Sequence, residues 1–152
     1  MSAVREDVDL RPVLPGDLDV HFEQQRDPAS SAMAAVPARD RSAFDAHWAT
    51  ILDDPTTVLR SVVVGDVVVG SALSFLRDGE RHVGYRIGRE HWGRGIATAA
   101  LGRLLEQLRE RPLTATVAEH NVASLRVLEK HGFVRAGEQH DGQLRLVVLR
   151  LA

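Results

Sequence analysis

The chain has 152 residues, of which 44% are hydrophobic and 26% are charged, and its formal net charge is −2. These values are typical of one globular domain, and they argue against global disorder and against a protein that mainly coats nucleic acid. The absence of cysteine excludes disulfides, thiolate metal ligands and an acyl-cysteine intermediate. We therefore expect one domain over residues 1–152 with no direct nucleic-acid partner.

The sequence shows no targeting or membrane signal. The N-terminal segment MSAVREDVDLRPV has early acidic residues and no long apolar core, which is unlike a signal peptide. The apolar stretch at residues 62–69 is interrupted by Gly65 and Asp66 and is too short to span a bilayer. We expect a cytoplasmic protein with no membrane partner.

Hydrophobic periodicity predicts the elements of the first half of the chain. They are a strand at residues 8–13, a helix at 17–26, a helix at 43–52, and strands at 57–64 and 67–75. The pair Asp27-Pro28 is expected to end the first helix, since the residue before proline avoids helical geometry. The pair Gly65-Asp66 is a favourable two-residue turn, which predicts a hairpin between the last two strands.

The second half predicts four further strands and two helices. The strands are expected at residues 82–88, 113–117, 133–138 and 143–151, and the helices at 94–109 and 121–131. A strand–helix–strand crossover among hairpins indicates an α+β (mixed α/β) domain. Its sheet is expected to be mixed and mostly antiparallel, with about seven strands and about four helices on its faces.

The stretch HWGRGIATAAL, from His91 to Leu101, places glycines and an arginine at the start of a predicted helix. The first amides of a helix have no acceptor within it, and Gly93 and Gly95 allow an anion to approach the backbone closely. This pattern suits a phosphate or pyrophosphate, although it is also found in ordinary turns. Neither the G-x-x-x-x-G-K-[ST] loop nor the G-x-G-x-x-G dinucleotide fingerprint is present.

The stretch NVASLRVLEKHGF (Asn121–Phe133) follows about one strand later. Together with YRIGREHWGRGIATAAL, it resembles the GNAT superfamily of acetyl-CoA-dependent N-acetyltransferases over residues 80–137. Trp92 and the N-x-x-S pattern are most similar to the ribosomal-protein N-terminal acetyltransferase (RimJ/RimL-like) branch. The resemblance implies acceptor-side helices and a hairpin at 1–79, an acetyl-CoA-binding core at 80–137 and a closing strand at 138–152.

The resemblance also implies how the coenzyme is held. The family signature Q/R-x-x-G-x-G/A falls on Trp92, Gly93, Arg94, Gly95, Ile96 and Ala97, with tryptophan in place of Q/R. Amides from Arg94 through Thr98 would hold the pyrophosphate. The main chain of Tyr85, Arg86 and Ile87 would pair with pantetheine, and one amide there would polarise the thioester carbonyl. Asn121 would bond near the pantetheine, and Arg126 and Lys130 either meet the 3′-phosphate or form a solvated face.

The resemblance identifies the catalytic acid and base less directly than the coenzyme-binding residues. Many family members carry a tyrosine seven residues after the asparagine, but Leu128 occupies that position here. The N-x-x-S branch uses its serine, which makes Ser124 the candidate acid; the alternative is a local hydrogen bond. His82 is the candidate base, because imidazole is partly deprotonated near neutral pH. The rival bases are Glu80, Glu138 and His140, and the scattered histidines predict no metal site.

These features predict direct transfer of an acetyl group to a primary amine in a ternary complex. The acceptor is expected to be a protein N-terminus or a small amine. An alternative is a catalytically degenerate acyl-CoA-binding module, since the family tyrosine is missing and the base is unusual. A second is an interaction protein that uses the glycine turn for ATP. A homodimer is compatible with the family.

Overall fold

A computed structural model describes residues 7–152; the first six residues, part of the segment judged unlike a signal peptide, lie outside the described residues. Seven strands form one sheet in the order β1-β2-β3-β4-β5-β7-β6. Their bounds are β1 Val8–Pro12, β2 Val58–Val64, β3 Val67–Arg77, β4 Glu80–Ile87, β5 Leu113–Ala118, β6 Val134–Asp141 and β7 Leu144–Leu151. Only β4 and β5 pair in parallel, which confirms the predicted mixed, mostly antiparallel sheet.

In the described residues, five α-helices flank this sheet. They are α1 Leu18–Arg26, α2 Pro28–Ala34, α3 Arg41–Asp53, α4 Ile96–Gln107 and α5 Val122–Lys130. The short helix α2 is additional to the four predicted ones. Asp27 caps it by accepting the Ser30 N–H, and Pro28 occupies its first turn, where proline is well tolerated. The residue pair that ends α1 therefore also begins α2.

The helices lie on both faces of the sheet. Helices α4 and α5 cover the face formed by Val62, Ala72 and Val83, where they pack the buried residues Leu101, Leu104, Leu125 and Leu128. Helices α1 and α3 cover the opposite face, on which Phe44 of α3 is buried. In residues 7–152, no helix is both long and apolar enough to cross a membrane.

A bulge in β3 brings its backbone close to β4. Val62 pairs with Gly70 and Val63 with Val68, which leaves Val69 as the extra residue. At the next position, a β-carbon on Gly70 would overlap the main-chain carbonyl oxygen of Arg86. Glycine is therefore required where β3 passes the C-terminal half of β4.

Candidate functional site

A gap opens between β4 and β5. The two strands pair only through Arg81 with Leu113 and His82 with Thr114. Beyond His82 they diverge, and β5 continues to pair with β7 as far as Ala118. In the described part of the chain, the main chain of β4 after His82 consequently has no strand neighbour on its β5 side.

The main chain of β4 offers hydrogen-bonding groups to this gap. The Gly88 N–H donates to the Val69 carbonyl at 2.8 Å, so the backbone of Gly88 faces β3. Because alternate residues of a strand direct their main-chain groups to the same neighbour, those of Arg86 also face β3. Those of Tyr85 and Ile87 point toward β5. The gap therefore receives the main chain of Tyr85 and Ile87. The main chain of Arg86, which the resemblance also placed beside the pantetheine, faces β3, and the Arg86 side chain lines the cavity described below.

The glycine-rich turn lies at the end of β4. Gly93 and Gly95 have φ values of 78° and 75°, a left-handed geometry that favours glycine. The Trp92 indole Nε1 donates to the Ile87 carbonyl at 2.8 Å, which ties the turn to β4. Trp92 therefore positions the turn through its side chain, although it stands where the family signature has a different residue.

The N-terminus of α4 presents unpaired donors. Asp27, Asp40 and Asn121 cap helices α2, α3 and α5 with side-chain hydrogen bonds. Gly95 caps α4, and within residues 7–152 no side chain caps that helix and no acid lies in its first turn. The amides of Ile96, Ala97 and Thr98 are thus available for an anion, and the helix dipole favours one. They are three of the amides, from Arg94 through Thr98, that the resemblance predicted to hold the pyrophosphate.

Three basic side chains lie on or beside helices α4 and α5. Arg94, Arg126 and Lys130 are exposed, and no salt bridge of the described residues includes them. Arg126 and Lys130 are one turn apart on α5. Their positive charge is therefore compatible with phosphate binding and also with a solvated face.

Ser124 and Tyr85 form a hydroxyl pair. The Tyr85 hydroxyl lies 2.7 Å from Ser124 Oγ, and burial raises the pKa of Tyr85 despite that hydrogen bond. Asn121 accepts the Ser124 N–H at 3.2 Å and donates to the Met33 carbonyl at 3.4 Å. The asparagine side chain thus caps α5 and contacts the end of α2.

Position 128 holds leucine, and the tyrosine hydroxyl that lies beside Ser124 comes from Tyr85 of β4. Sequence reasoning placed Tyr85 at the coenzyme through its main chain and did not detect this hydroxyl contact. Tyr85 and Ser124 are 39 residues apart, and local periodicity carries no information on such a pair. A strand tyrosine combined with the N-x-x-S pattern was the available signal.

The candidate bases lie apart from the hydroxyl pair. His82 is buried and its ring stacks on Phe75 with centroids 5.3 Å apart, and burial lowers its pKa. Glu80 pairs with Arg150 at 2.8 Å. Glu138 and His140 lie on the fully exposed strand β6. None of these four residues lines the cavity described next.

A cavity of about 260 Å³ lies on the other face of β4, beneath α1 and α3. Its lining includes His21, Trp48, Leu73, Gly84 and Arg86, with Arg39 from the segment between α2 and α3. Gly84 and Arg86 belong to β4, the strand that borders the gap. They face the opposite side of the sheet from the Tyr85 side chain. The cavity and the gap therefore share β4 as a common wall.

A buried polar network supports His21 in this cavity. Ser61 Oγ donates to Asp17 Oδ2 at 2.8 Å, and His21 Nε2 lies 2.9 Å from the same Ser61 oxygen. Arg11 pairs with Asp17 at 2.6 Å and holds the pKa of that carboxyl well below its usual range. With Ser61 donating to Asp17, His21 Nε2 carries the proton, and Nδ1 is a buried acceptor without a partner in the described residues.

Burial keeps His21 neutral. Desolvation lowers its pKa to about 4, and the Asp17 carboxylate opposes that shift only in part. Trp48 stacks on the imidazole with ring centroids 4.7 Å apart. The network of Arg11, Asp17, His21 and Ser61 was not predicted from the sequence. Its four members come from β1, the turn that precedes α1, α1 itself and β2.

Residues 7–152 contain no cluster of three or more His, Asp or Glu side chains that is arranged to hold a metal ion.

The comparisons with known proteins agree with this architecture. Residues 7–134 match the model of the acetyltransferase (GNAT) domain. The chain therefore belongs to the GNAT acetyltransferase family. The uncharacterized N-acetyltransferase p20 of Bacillus licheniformis is 32% identical over an alignment of 91 residues, with coverage of 52% of this chain and 51% of that protein. The chain thus spans about half the length of this curated relative.

Two solved structures are similar in fold. Spermidine N-acetyltransferase from Vibrio cholerae, in complex with CoA and spermine, has a TM-score of 0.85 and 16% identity over 96% of this chain and 95% of that one. Aminoglycoside acetyltransferase AAC(6′)-Ib, in complex with coenzyme A, has a TM-score of 0.81 and 17% identity over 95% and 94% of the two chains. At these identities the likeness concerns the fold alone.

Proposed function

We propose that this protein is an acetyl-CoA-dependent N-acetyltransferase that transfers an acetyl group directly to a primary amine in a ternary complex. The gap between β4 and β5, which ends at the uncapped start of α4, is the observation that carries the proposal. Residues 1–79 would supply the acceptor side, residues 80–137 the coenzyme-binding core and residues 138–152 the closing strand. The chain would act in the cytoplasm.

The described residues fit the coenzyme. Amides at the start of α4 would hold the pyrophosphate, where two left-handed glycines keep side chains away from it. The main chain of Tyr85 and Ile87 would pair with the pantetheine in the gap. Arg126 and Lys130, both exposed on α5, would meet the 3′-phosphate. Bound acetyl-CoA supplies an activated acetyl thioester.

The chain's own groups would then assist acetyl transfer. An amide of β4 facing the gap would donate to the thioester oxygen, on which negative charge develops. Ser124 would donate a proton or a hydrogen bond to the departing sulfur. Tyr85, which burial keeps protonated, would donate to Ser124 in turn. The hydroxyl pair thereby supplies the proton that Leu128 cannot supply.

The proton released by the attacking amine requires an acceptor on the cavity side of β4, opposite the Tyr85–Ser124 pair. His82 remains the predicted base; its lowered pKa keeps the ring neutral at pH 7. Its position outside the cavity requires that the proton travel through water. An α-amine has a reference pKa of about 7.7–8.0 and needs little assistance, whereas a lysine-like amine, at about 10.4, needs much more. This contrast favours a low-pKa acceptor.

We also propose membership of the RimJ/RimL-like branch. The proposal is supported by Trp92, whose indole joins the glycine turn to β4, and by Ser124 at the N-x-x-S position. It makes a protein N-terminus or a small amine the acceptor. A homodimer is an expectation from the family resemblance.

Thermal unfolding with acetyl-CoA, CoA or ATP tests the coenzyme site. A ligand present at a hundredfold over its Kd stabilises a protein by about 2.7 kcal/mol, which raises Tm by roughly 5–10 °C at this size. We expect this shift with acetyl-CoA and CoA but not with ATP. Gly95→Glu should abolish it, while Gly65→Glu, at a turn glycine with similar positive φ, should retain it.

Turnover is measured with the same preparations against a panel of primary amines. Release of free CoA that depends on both acetyl-CoA and an amine is the expected result. Binding without turnover on any amine would favour the degenerate acyl-CoA-binding module. No shift with acetyl-CoA at saturation would contradict the proposal altogether, and a shift with ATP alone would favour the nucleotide-binding alternative.

A further inference from the structure

We propose that the acceptor is a primary amine that also carries a carboxylate, and that Arg86 and Arg39 bind this carboxylate in the cavity under α1 and α3. The inference rests on the proposed acetyltransferase function and names its substrate class. It excludes polycationic amines as preferred acceptors. The supporting observations are the composition of the cavity, the placement of the two arginines and the electrostatic effect of one on its neighbours.

Arg86 reaches the cavity without a carboxylate partner. Strand alternation directs its side chain to the same face as Gly84, and both residues line the cavity. Its Nη1 atom is buried and donates a hydrogen bond to no described residue. No aspartate or glutamate of residues 7–152 lines the cavity. A desolvated guanidinium without a counter-ion is costly, so an anionic ligand would be strongly favoured there.

Other arginines near the cavity do find carboxylates. Arg11 pairs with Asp17 at 2.6 Å, and Arg41 pairs with Asp19 at 2.8 Å and Asp45 at 2.9 Å. Arg11 and Arg41 are thus neutralised by carboxylates, whereas no salt bridge of residues 7–152 includes Arg39 or Arg86. The unpaired state of Arg86 distinguishes the cavity from its surroundings.

Arg39 is held beside the cavity by a specific backbone clamp. Gln25 of α1 accepts the Arg39 N–H at 2.8 Å and donates to the Arg39 carbonyl at 2.9 Å. Both ends of one side-chain amide therefore fix the peptide of an exposed residue. The arginine is exposed but its attachment point is fixed, which suits a group that meets a ligand.

The two arginines give the cavity a positive potential. The charge of Arg39 lowers the pKa of both Arg86 and His47, and burial contributes more to each effect. His21, with a pKa of about 4, adds no charge at neutral pH. A carboxylate neutralises this field, whereas an acceptor with several ammonium groups adds to the repulsion. Selectivity against polyamines follows.

The size of the cavity limits the acceptor. Its volume of about 260 Å³ is below the roughly 300–1,000 Å³ that is typical of pockets for drug-sized ligands. A free amino acid fits this space, and so does the first residue of a peptide that begins with Asp or Glu. Both sources present the same chemistry, an amine close to a carboxylate.

The test compares each acid with its neutral amide. Glycine, β-alanine and L-glutamate are assayed beside their carboxamides, and C-terminally amidated tetrapeptides beginning with Asp or Glu beside those beginning with Asn or Gln. Each kcat/KM is expressed per neutral amine, because a carboxamide lowers the pKa of the neighbouring amine relative to the carboxylate. Spermidine is the polycation. We expect the acid to exceed its amide in kcat/KM by about ten- to a hundredfold, as a charge-assisted hydrogen bond provides. The small-molecule and peptide arms identify the source of the carboxylate.

Arginine variants locate the preference. Arg86→Gln should lower kcat/KM for the acids to that of the amides and leave the amides within about threefold, while Arg86→Lys should retain part of the preference. Arg39→Gln should have a smaller effect in the same direction. Arg109→Gln removes the same charge from an exposed residue outside the cavity and should change nothing.

Two results would overturn the inference: equal or better use of the amides or spermidine by the wild-type protein, or an acid preference that survives Arg86→Gln. A binding measurement separates this failure from failure of the proposed function. If no amine is acetylated, thermal shifts with L-glutamate and with the Glu-first tetrapeptide, in the presence of CoA, are compared between wild type and Arg86→Gln. Shifts confined to wild type support the carboxylate site; no shift in either contradicts it.

Discussion

Ser124 of α5 and Tyr85 of β4 are joined by one hydrogen bond of 2.7 Å. If this pair protonates the departing sulfur, Ser124→Ala should lower kcat by about 10²-fold or more, the range of a positioned general acid. Tyr85→Phe should lower it less, because Ser124 remains. The KM for acetyl-CoA should be nearly unchanged in both variants. Steady-state kinetics from pH 6 to 11 measures these effects.

The control for this pair is Ser42→Ala, which removes an exposed hydroxyl from α3. It should behave like wild type. Because burial raises the pKa of Tyr85, the alkaline limb of the wild-type profile should extend beyond the ordinary tyrosine range. A normal kcat in Ser124→Ala would assign the serine to the local hydrogen bond with Asn121 instead.

His21 makes the stability of the fold depend on pH. Its pKa of about 4 in the folded state lies below the ordinary histidine value of 6.5, so the unfolded chain binds more protons between these values. The contribution of His21 is therefore complete above pH 6.5 and is lost as the pH falls to about 4. The difference corresponds to about 3 kcal/mol at most. Tm should fall over this interval.

The variant His21→Gln should flatten that part of the Tm profile, because it removes the titrating ring. His140→Gln, at an exposed position of β6, should leave the profile unchanged. The Asp17 carboxyl, whose pKa is lowered by Arg11, adds its own loss of stability only in stronger acid. Parallel profiles for wild type and His21→Gln would show that His21 does not titrate in this range.

Among the elements, β4 has the most restricted position. It pairs with β3, forms one edge of the gap, and carries Tyr85 and Arg86 to opposite faces of the sheet. Gly70→Ala should place a β-carbon against the Arg86 carbonyl oxygen, and backbone cannot yield as a flexible side chain can. We expect a loss of about 1–3 kcal/mol and weaker binding of acetyl-CoA. Denaturation and CoA titration measure both.

Gly137→Ala is the matched control, since a β-carbon at that strand glycine meets nothing within 4 Å. Its stability should lie within about 0.5 kcal/mol of wild type. Equal stability of the two variants would mean that β3 and β4 can separate without cost. The bulge at Val69 would then have no role in placing β4.

The predicted elements show what local sequence can establish. Gly65-Asp66 predicts the turn between β2 and β3, and the structure pairs Val64 with Val67 around it. The helix that follows the glycine turn is also found, although it begins at Ile96 rather than Arg94. Helix α2 was not predicted, because Asp27-Pro28 was interpreted only as a helix end. The same two residues are an N-cap and a first-turn proline.

In the molecule as a whole, the parts of the site differ in how far they could be predicted. The anion-binding turn is a contiguous stretch, so residues 91–101 predict it without tertiary information. The cavity is not contiguous, since it draws on α1, α3, β3, β4 and the segment that carries Arg39. No spacing rule indicates that Arg86 faces α1 and α3 rather than solvent. The carboxylate preference therefore required the structure.

The narrow contact between β4 and β5 has a mechanical consequence. Within the sheet of residues 7–152, only two residue pairs join the four-stranded half β1–β4 to the three-stranded half β5–β7–β6. The halves are otherwise joined by α4 and by packing beneath the sheet. A molecule lying along the gap would act as an eighth strand that couples the two halves. The coenzyme would then be a structural element of its own enzyme, and each turnover would loosen and restore the connection.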